Sequence, residues 1–254
     1  MEDAQTIEGR RPMGAAESIG RRIVTGALSP GTTLPTLDLL AGEFSISRLS
    51  MREAIKLLAG KGLVSSTPRR GTVVRPRHEW SRLDPQVLNW QVGGEPTAAF
   101  VRDLFELRRM IEPEAAALAS QRATREGLAE IGQAFALMAA ADAQAPQSVR
   151  ADVAFHQAIL KATGNEFVAA LAPTIDASLT LVFEVQRGAG RDLRNFIPGH
   201  EAVLVAIRRG DDAAARHAVH ALLARSEADA MDGLRLLDGR KVNDVRAAKG
   251  GQLA

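Results

Sequence analysis

The sequence predicts a mainly α-helical protein in two parts: three short helices with a β-hairpin, then an all-α antiparallel helical bundle. Three observations carry that expectation. Apolar residues recur at helical spacing over most of the chain. Two β-prone runs, LVSST and TVVR, flank a single Pro/Gly turn, PRRG. Between these runs and the later helices stands HEWSRLDPQVLNWQVGGEP, which holds both tryptophans and closes on Gly93-Gly94. The expected organisation is a front domain at 12–77, a linker at 78–97, a helical domain at 98–238 and a tail at 239–254.

Taken in order, Ile19, Ile23 and Val24 make a short amphipathic helix that ends at Gly26, and Pro30-Gly31 makes a turn. Leu37, Leu40 and Phe44 share one face of a second helix. Ser47 is a good N-cap for a third, whose buried stripe is Met51, Ala54, Ile55 and Leu58. The hairpin follows Gly60 and Gly62. Beyond the linker, Phe100, Leu104, Leu107 and Ile111 form one apolar stripe, and Leu128, Ile131, Phe135 and Met138 form another. Further helices are expected at 149–163, 167–186, 201–209 and 212–237, with lengths and connections that suit an antiparallel bundle. The first dozen residues and the tail after Leu237 read as frayed or disordered.

Hydrophobic residues make up 46% and charged residues 24%, as in an ordinary globular protein. Apolar runs long enough to span a bilayer are not expected, and the opening MEDAQTIEGRRPMG lacks the apolar core of a signal peptide, so the expected location is cytoplasmic, away from any membrane. With no cysteine, disulfides, thiolate metal sites and cysteine nucleophiles are excluded. The net charge of +2 is unevenly spread. Residues 1–80 carry 12 Lys and Arg against 8 Asp and Glu, a net of +4, and the remainder carries 20 against 22, a net of −2. A basic front and an acidic back suggest that the front meets a polyanion.

In the third helix Arg48, Arg52 and Lys56 fall at i, i+4 and i+8, on a stripe roughly 110° from the buried one. The helix can bury one face and offer three cations on another. A recognition helix has this layout, with arginines that reach guanine edges or phosphates of double-stranded DNA. Arg69 and Arg70 at the hairpin tip are placed to follow an adjacent groove. The same stripe is also what a solvated basic face looks like.

The run from Ile23 to Val74 resembles the winged helix-turn-helix of the GntR superfamily of transcription regulators. The matching elements are G-x-x-x-P-G-x-x-L-P at 26–35, S-R-x-S-x-R-E-A at 47–54, and G-L-V then R-R-G-T at 62–72. The resemblance implies that Arg48 and Arg52 contact bases or phosphates, supported by Ser50, Arg69 and Gly71. It also exposes a departure. After Leu34-Pro35 the family often has an acidic residue and then a DNA-contacting arginine, where this chain has Leu37 and Asp38.

In the helix at 149–163, Asp152 and His156 project within about 60° of the apolar stripe Val149, Val153 and Leu160. His200 lies on the buried side of its own helix, four residues before Leu204. Charged groups on buried faces are costly unless paired or bound to metal. One carboxylate and two imidazoles suit Zn²⁺, Ni²⁺ or Mn²⁺, and a buried Asp–His hydrogen bond is the other reading. Arg108 sits at the edge of its stripe with Arg109 roughly opposite. It suits either the carboxylate of a ligand or a salt bridge to Glu112 at i+4.

The later segment resembles the helical FCD ligand domain of the FadR subgroup of that superfamily, through ELRRMIEPEAA at 106–116, DVAFH at 152–156, Gly164-Asn165 and HEAVLVAIRRGD at 200–211. The resemblance implies a divalent metal held by Asp152, His156 and His200, and an effector-binding role for Arg108. The usual third histidine is missing, since its position is Leu222, and His217 and His220 point away from the buried stripe. WSRLDPQVLNW at 80–90 is similar to the linker of the galactonate-responsive branch, which implies a small carboxylate or sugar-acid effector. A homodimer on a pseudo-palindromic operator is expected. A repressor that answers to the ion itself is a second reading. A metal-dependent bundle enzyme is disfavoured, because the chain has no Glu-x-x-His motif and no phosphate-binding or nucleophile motif.

Overall fold

Ala15, Ala16, Ile19, Ile23 and Val24 repeat at three- and four-residue spacing and form the buried face of α1 (Pro12–Val24). The computed structural model describes residues 12–67, 69–92, 96–141, 146–189 and 196–250, and the chain divides into two units, Met1–Glu95 and Pro96–Ala254. In the first unit α1 is followed by α2 (Leu37–Glu43), α3 (Arg48–Gly60), β1 (Val64–Thr67), β2 (Gly71–Val74), a 3-10 turn (Arg77–Glu79) and α4 (Pro85–Val92). Ser47 caps α3 by accepting from the Ser50 N–H at 3.0 Å. The turn before it is closed by the Ile46 N–H, which donates to the Ala41 carbonyl at 3.0 Å.

The hairpin pairs antiparallel from Val64 opposite Val74 to Thr67 opposite Gly71. The segment after Pro30-Gly31 does more than turn. The Leu34 N–H donates to Thr72 O, and the Val74 N–H to Thr32 O, so Thr33 forms an isolated antiparallel bridge with Val73 of β2. The core of this unit gathers Met51, Ala54, Ile55 and Leu58, the stripe that the helical period predicts, with Leu34, Leu40, Leu63 and Val74.

The segment 78–97 contributes to that core. Trp80 and Trp90 are both buried in it, with the Trp80 Nε1–H donating to Arg75 O at 2.9 Å. Trp90, on α4, lies so close to α1 that a Cβ on Gly20 would sit 2.4 Å from an indole carbon. Asp84 caps α4 by accepting from the Gln86 and Val87 N–H groups, and it pairs with Lys61 at 2.8 Å. Gly93-Gly94, Pro68 of the hairpin turn, residues 1–11 and residues 251–254 lie outside the described residues.

The second unit is helical throughout its described residues: α5 (Ala98–Arg122), α6 (Arg125–Ala140), α7 (Pro146–Ala162), α8 (Glu166–Ala169), α9 (Ala172–Gly188), α10 (Ile197–Arg208) and α11 (Asp212–Gly250). α5 and α10 pack on α11, and α6 and α9 pack on α7. Three expectations change here. The single helix at 167–186 is two, because Pro173 has no N–H and its ring would strike the Ala169 carbonyl of a continuous helix. α10 begins at Ile197, with a proline in its first turn, not at Glu201. α11 runs past Leu237 to Gly250 where a tail was expected.

The stretch Glu166–Gly188 is also longer and more apolar than the sequence reading allowed, enough by length and composition to cross a membrane. Its larger part, α9, supplies Ile175, Leu179, Leu181 and Val185 to the interior of the helical unit.

Candidate functional site

In the first unit, α3 turns Arg48 and Arg52 to solvent while its other face is buried. The cations on that exposed stripe are not equivalent. Arg48 pairs with Asp38 of α2, Nε to Oδ1 at 3.2 Å, and Lys56 pairs with Glu53 at 2.9 Å. Arg52 makes no ion pair or side-chain hydrogen bond among the described residues. Ser50 Oγ lies 2.9 Å from Ser47 Oγ, which ties it to the cap of the helix. Arg69, Arg70 and Gly71 are exposed at the hairpin tip, where Arg69 and Gly71 both take positive φ, 69° and 79°.

In the second unit, α7 carries Asp152 and His156 one turn apart, and α10 carries His200 near its start. All three are buried, and one ligand atom from each lies within 4.8 Å of the others. His200 Nε2 stands 2.8 Å from Asp152 Oδ1, and His156 Nε2 stands 3.7 Å from the same oxygen. Neither His200 Nε2 nor Asp152 Oδ1 has an aligned hydrogen bond, so the short approach is one of unsatisfied atoms.

The far sides of the rings explain why. His200 Nδ1 meets the Phe196 carbonyl at 2.8 Å, and His156 Nδ1 meets Glu112 Oε2 at 2.8 Å. A ring that donates from Nδ1 in its neutral form turns an Nε2 lone pair inward. Two lone pairs and a carboxylate then share one buried point, which needs a proton or a cation between them.

Arg108 and Glu112, one turn apart on α5, extend the cluster. Arg108 Nε donates to Glu112 Oε1 at 2.5 Å, and Arg108 stacks over Phe105, its Cζ 5.2 Å from the ring centre. Burial alone would raise the Glu112 pKa, but Arg108 and then His156 outweigh it and bring the carboxyl down to about 2. For Asp152 burial again pushes up, and His200 leads the groups that hold it below the ordinary range. Burial would lower the His200 pKa, yet Asp152 overcomes it and the net shift is upward.

A narrow cavity opens beside the cluster, with about 30 Å³ open to the centres of water molecules. Arg108, Asp152, His156 and His200 line it with Ser148, Gln186 and Ser226. Two of its buried donors, Arg108 Nη1 and Gln186 Nε2, have no hydrogen-bond partner.

Two corrections concern where these residues sit. Arg108 lies at the centre of the buried face of α5, not its edge, between Phe105 and Glu112, while Phe100, Leu107 and Ile111 are only partly buried. Likewise Asp152 and His156 are at the middle of the buried face of α7, and Val149 and Val153 are half-buried flanks. Charges that satisfy one another can occupy an interior that hydropathy assigns to aliphatic residues. The salt bridge from Arg108 to Glu112, one of the two roles read for Arg108 from the i, i+4 spacing, is present. Gln186 is the residue that nothing in the sequence marks. Leu222 lines the cavity, and His217 and His220 are exposed, as their helix positions imply.

Residues 14–74 of the chain match the bacterial regulatory proteins of the gntR family, and residues 103–225 match the FCD domain. The chain is 32% identical over 210 residues to the galactonate operon transcriptional repressor of Escherichia coli K12, covering 82% of this chain and 92% of that protein. It is 32% identical over 210 residues to the uncharacterized HTH-type transcriptional regulator YieP of the same strain, covering 82% and 90%. Among solved structures, Lar, which controls expression of the Listeria monocytogenes agr system, superposes with a TM-score of 0.62 at 17% identity over 86% of this chain and 95% of that one. That likeness is one of fold alone.

Proposed function

This chain belongs to the gntR family of bacterial regulatory proteins and carries an FCD domain, and on that premise we propose that it is a homodimeric cytoplasmic repressor governed by a sugar-acid effector at a divalent-metal site. It is a DNA-binding transcription regulator and not an enzyme. One observation carries the finer reading. Four buried polar atoms belong to residues lining one cavity: Asp152 Oδ1 and His200 Nε2, which lie 2.8 Å apart, and the donors Arg108 Nη1 and Gln186 Nε2, which have no hydrogen-bond partner. Orphaned groups of both kinds side by side suit a cation next to an anion.

The donor set fits a borderline divalent ion, Zn²⁺ first and Ni²⁺ or Mn²⁺ also, with Asp152, His156 and His200 as its ligands. When bound, such an ion supplies positive charge and open coordination positions. Glu112 holds His156 by its Nδ1 and the Phe196 carbonyl holds His200, so each imidazole is oriented from behind. Arg108 Nη1 and Gln186 Nε2 then receive the effector carboxylate from the other side of the cavity. The name of the galactonate repressor supports a sugar acid, and the linker resemblance points the same way.

The cavity is too small for a sugar acid at rest, so binding must displace its walls, which come from α5, α6, α7, α9, α10 and α11. Within a protomer the chain leads from there to the winged helix through the segment 80–90, whose two tryptophans are anchored in the first unit.

The test is a thermal-shift screen of the purified protein against galactonate, other sugar acids and dicarboxylates, with and without chelator. A ligand that binds the folded state raises Tm by mass action. A rise with a sugar acid that chelation abolishes supports the reading, and no response to any acid refutes it. The small cavity favours one second reading, in which the ion itself is the signal. Titrating operator binding with metal and no acid separates the two.

A further inference from the structure

Asp38 stands where the family often places a DNA-contacting arginine, and an acid there would repel phosphate rather than bind it. Its structural setting suggests a different task. Asp38 is in the first turn of α2, Arg48 is the first residue of α3, and both side chains are well exposed at 68% and 63%. Their closest approach is 3.2 Å, between the guanidinium Nε and Asp38 Oδ1. No other side chain among the described residues pairs with Arg48. A free arginine on a helix surface samples many rotamers, and ordering it on DNA costs conformational entropy. An acid that attracts the guanidinium on its Nε side narrows that freedom and leaves the Nη1/Nη2 end as a two-donor fork.

We propose that Asp38 is a positioning residue for base reading, which holds Arg48 end-on so that its terminal amines address the O6 and N7 of a guanine in the major groove. This rests on the assignment of α3 as the recognition helix. Guanine is the base that offers two acceptors side by side on its major-groove edge, and the fork matches it. The carboxylate also neutralises part of the Arg48 charge, which weakens its attraction to phosphates and favours the base edge.

The experiment selects bound sequences from a pool of duplex DNA with randomised half-sites, using the full-length protein, Arg48→Ala, Asp38→Ala and Asp38→Asn. Thermal melts confirm that each variant is folded, which both exposed positions should permit. The wild type should show a guanine preference that Arg48→Ala abolishes, a loss of roughly 5- to 150-fold in discrimination. Asp38→Ala should weaken that same preference several-fold while affinity for random-sequence DNA stays level or rises. Asp38→Asn, which keeps an acceptor oxygen, should fall between.

If Asp38→Ala keeps the full guanine preference, the positioning role is wrong and the recognition helix stands. If its loss falls on a cytosine that Arg48→Ala leaves alone, Asp38 reads a base directly and the proposal is likewise overturned. If Arg48→Ala itself changes nothing, the assignment of α3 fails and this proposal falls with it.

Discussion

The two units use the same residue types in opposite ways. In the first, the arginines and carboxylates on the exposed face of α3 and its neighbour α2 lie outside an apolar core. Among the described residues, every buried polar or charged side chain belongs to the second unit. Arg48–Asp38 and Arg108–Glu112 illustrate the difference. The exposed pair is worth about 0–1 kcal/mol. The buried pair has lost its water and is held by further charges, His156 and Asp152 around it. Surface charge here adds little stability and buried charge is paired at a cost in stability; under the proposed function the first serves recognition and the second ligand binding.

The sharpest way to break this contrast is Arg52→Ala. A bidentate base contact is worth about 1–3 kcal/mol, and a dimer loses two, so operator affinity should fall by roughly 30-fold to 10⁴-fold. Calorimetric Tm should not move, because Arg52 is exposed and makes no ion pair among the described residues. Normal operator binding by the variant would mean that α3 is not the recognition helix.

Glu112→Ala tests the other side. It leaves Arg108 and His156 buried without their carboxylate, which should cost about 3–5 kcal/mol in denaturant titration. Metal affinity should drop about 10- to 100-fold through the loss of the group behind His156. A variant as stable as the parent would show that the cluster is hydrated and not the dry network described above.

Gly20→Ala probes a site with no charge. Its methyl group would meet the Trp90 indole at 2.4 Å, so α1 or α4 must shift, at a cost of about 1–3 kcal/mol. Tryptophan fluorescence and unfolding followed together would report it, and an unchanged midpoint would mean that α4 does not pack on α1.

The smallest effect belongs to Lys61–Asp84. Burial pushes the Asp84 pKa up, but Lys61 and the Val87 and Gln86 N–H groups outweigh it and hold the carboxyl below its ordinary value. A lowered folded pKa stabilises at neutral pH, and that contribution is lost as pH falls through the folded value. The stability difference between wild type and Asp84→Asn, under about 1 kcal/mol from the pair itself, should therefore be flat near neutrality and shrink in acid. A difference that grows on acidification would contradict the pairing.

What the sequence made legible follows the same contrast. Where apolar period and caps agree, as for Met51, Ala54, Ile55 and Leu58 behind the Ser47 cap, the buried face was readable residue by residue. Asp152, His156 and His200 were identifiable because polar residues interrupted apolar stripes, and the structure brings them together. The centre of the stripe was misjudged on both α5 and α7, since hydropathy places charges outside and cannot see that Arg108, Glu112, Asp152 and His156 neutralise one another. The segment 80–90 read as a tether because the packing of Trp90 on Gly20 is a contact across seventy residues of chain. The break at Ala170–Leu171 was available from Pro173 but masked by the continuous apolar pattern around it.

The central claim is that metal and effector share one site in the FCD domain. Isothermal titration calorimetry with galactonate, or with whichever sugar acid the thermal screen selects, on metal-loaded and metal-free protein tests it most directly. The account expects chelation and His156→Ala each to weaken effector affinity at least tenfold while circular dichroism shows the helices intact. Equal affinity with and without metal would contradict it, and the cluster of Asp152, His156 and His200 would then be a buried polar network with no ligand-binding role.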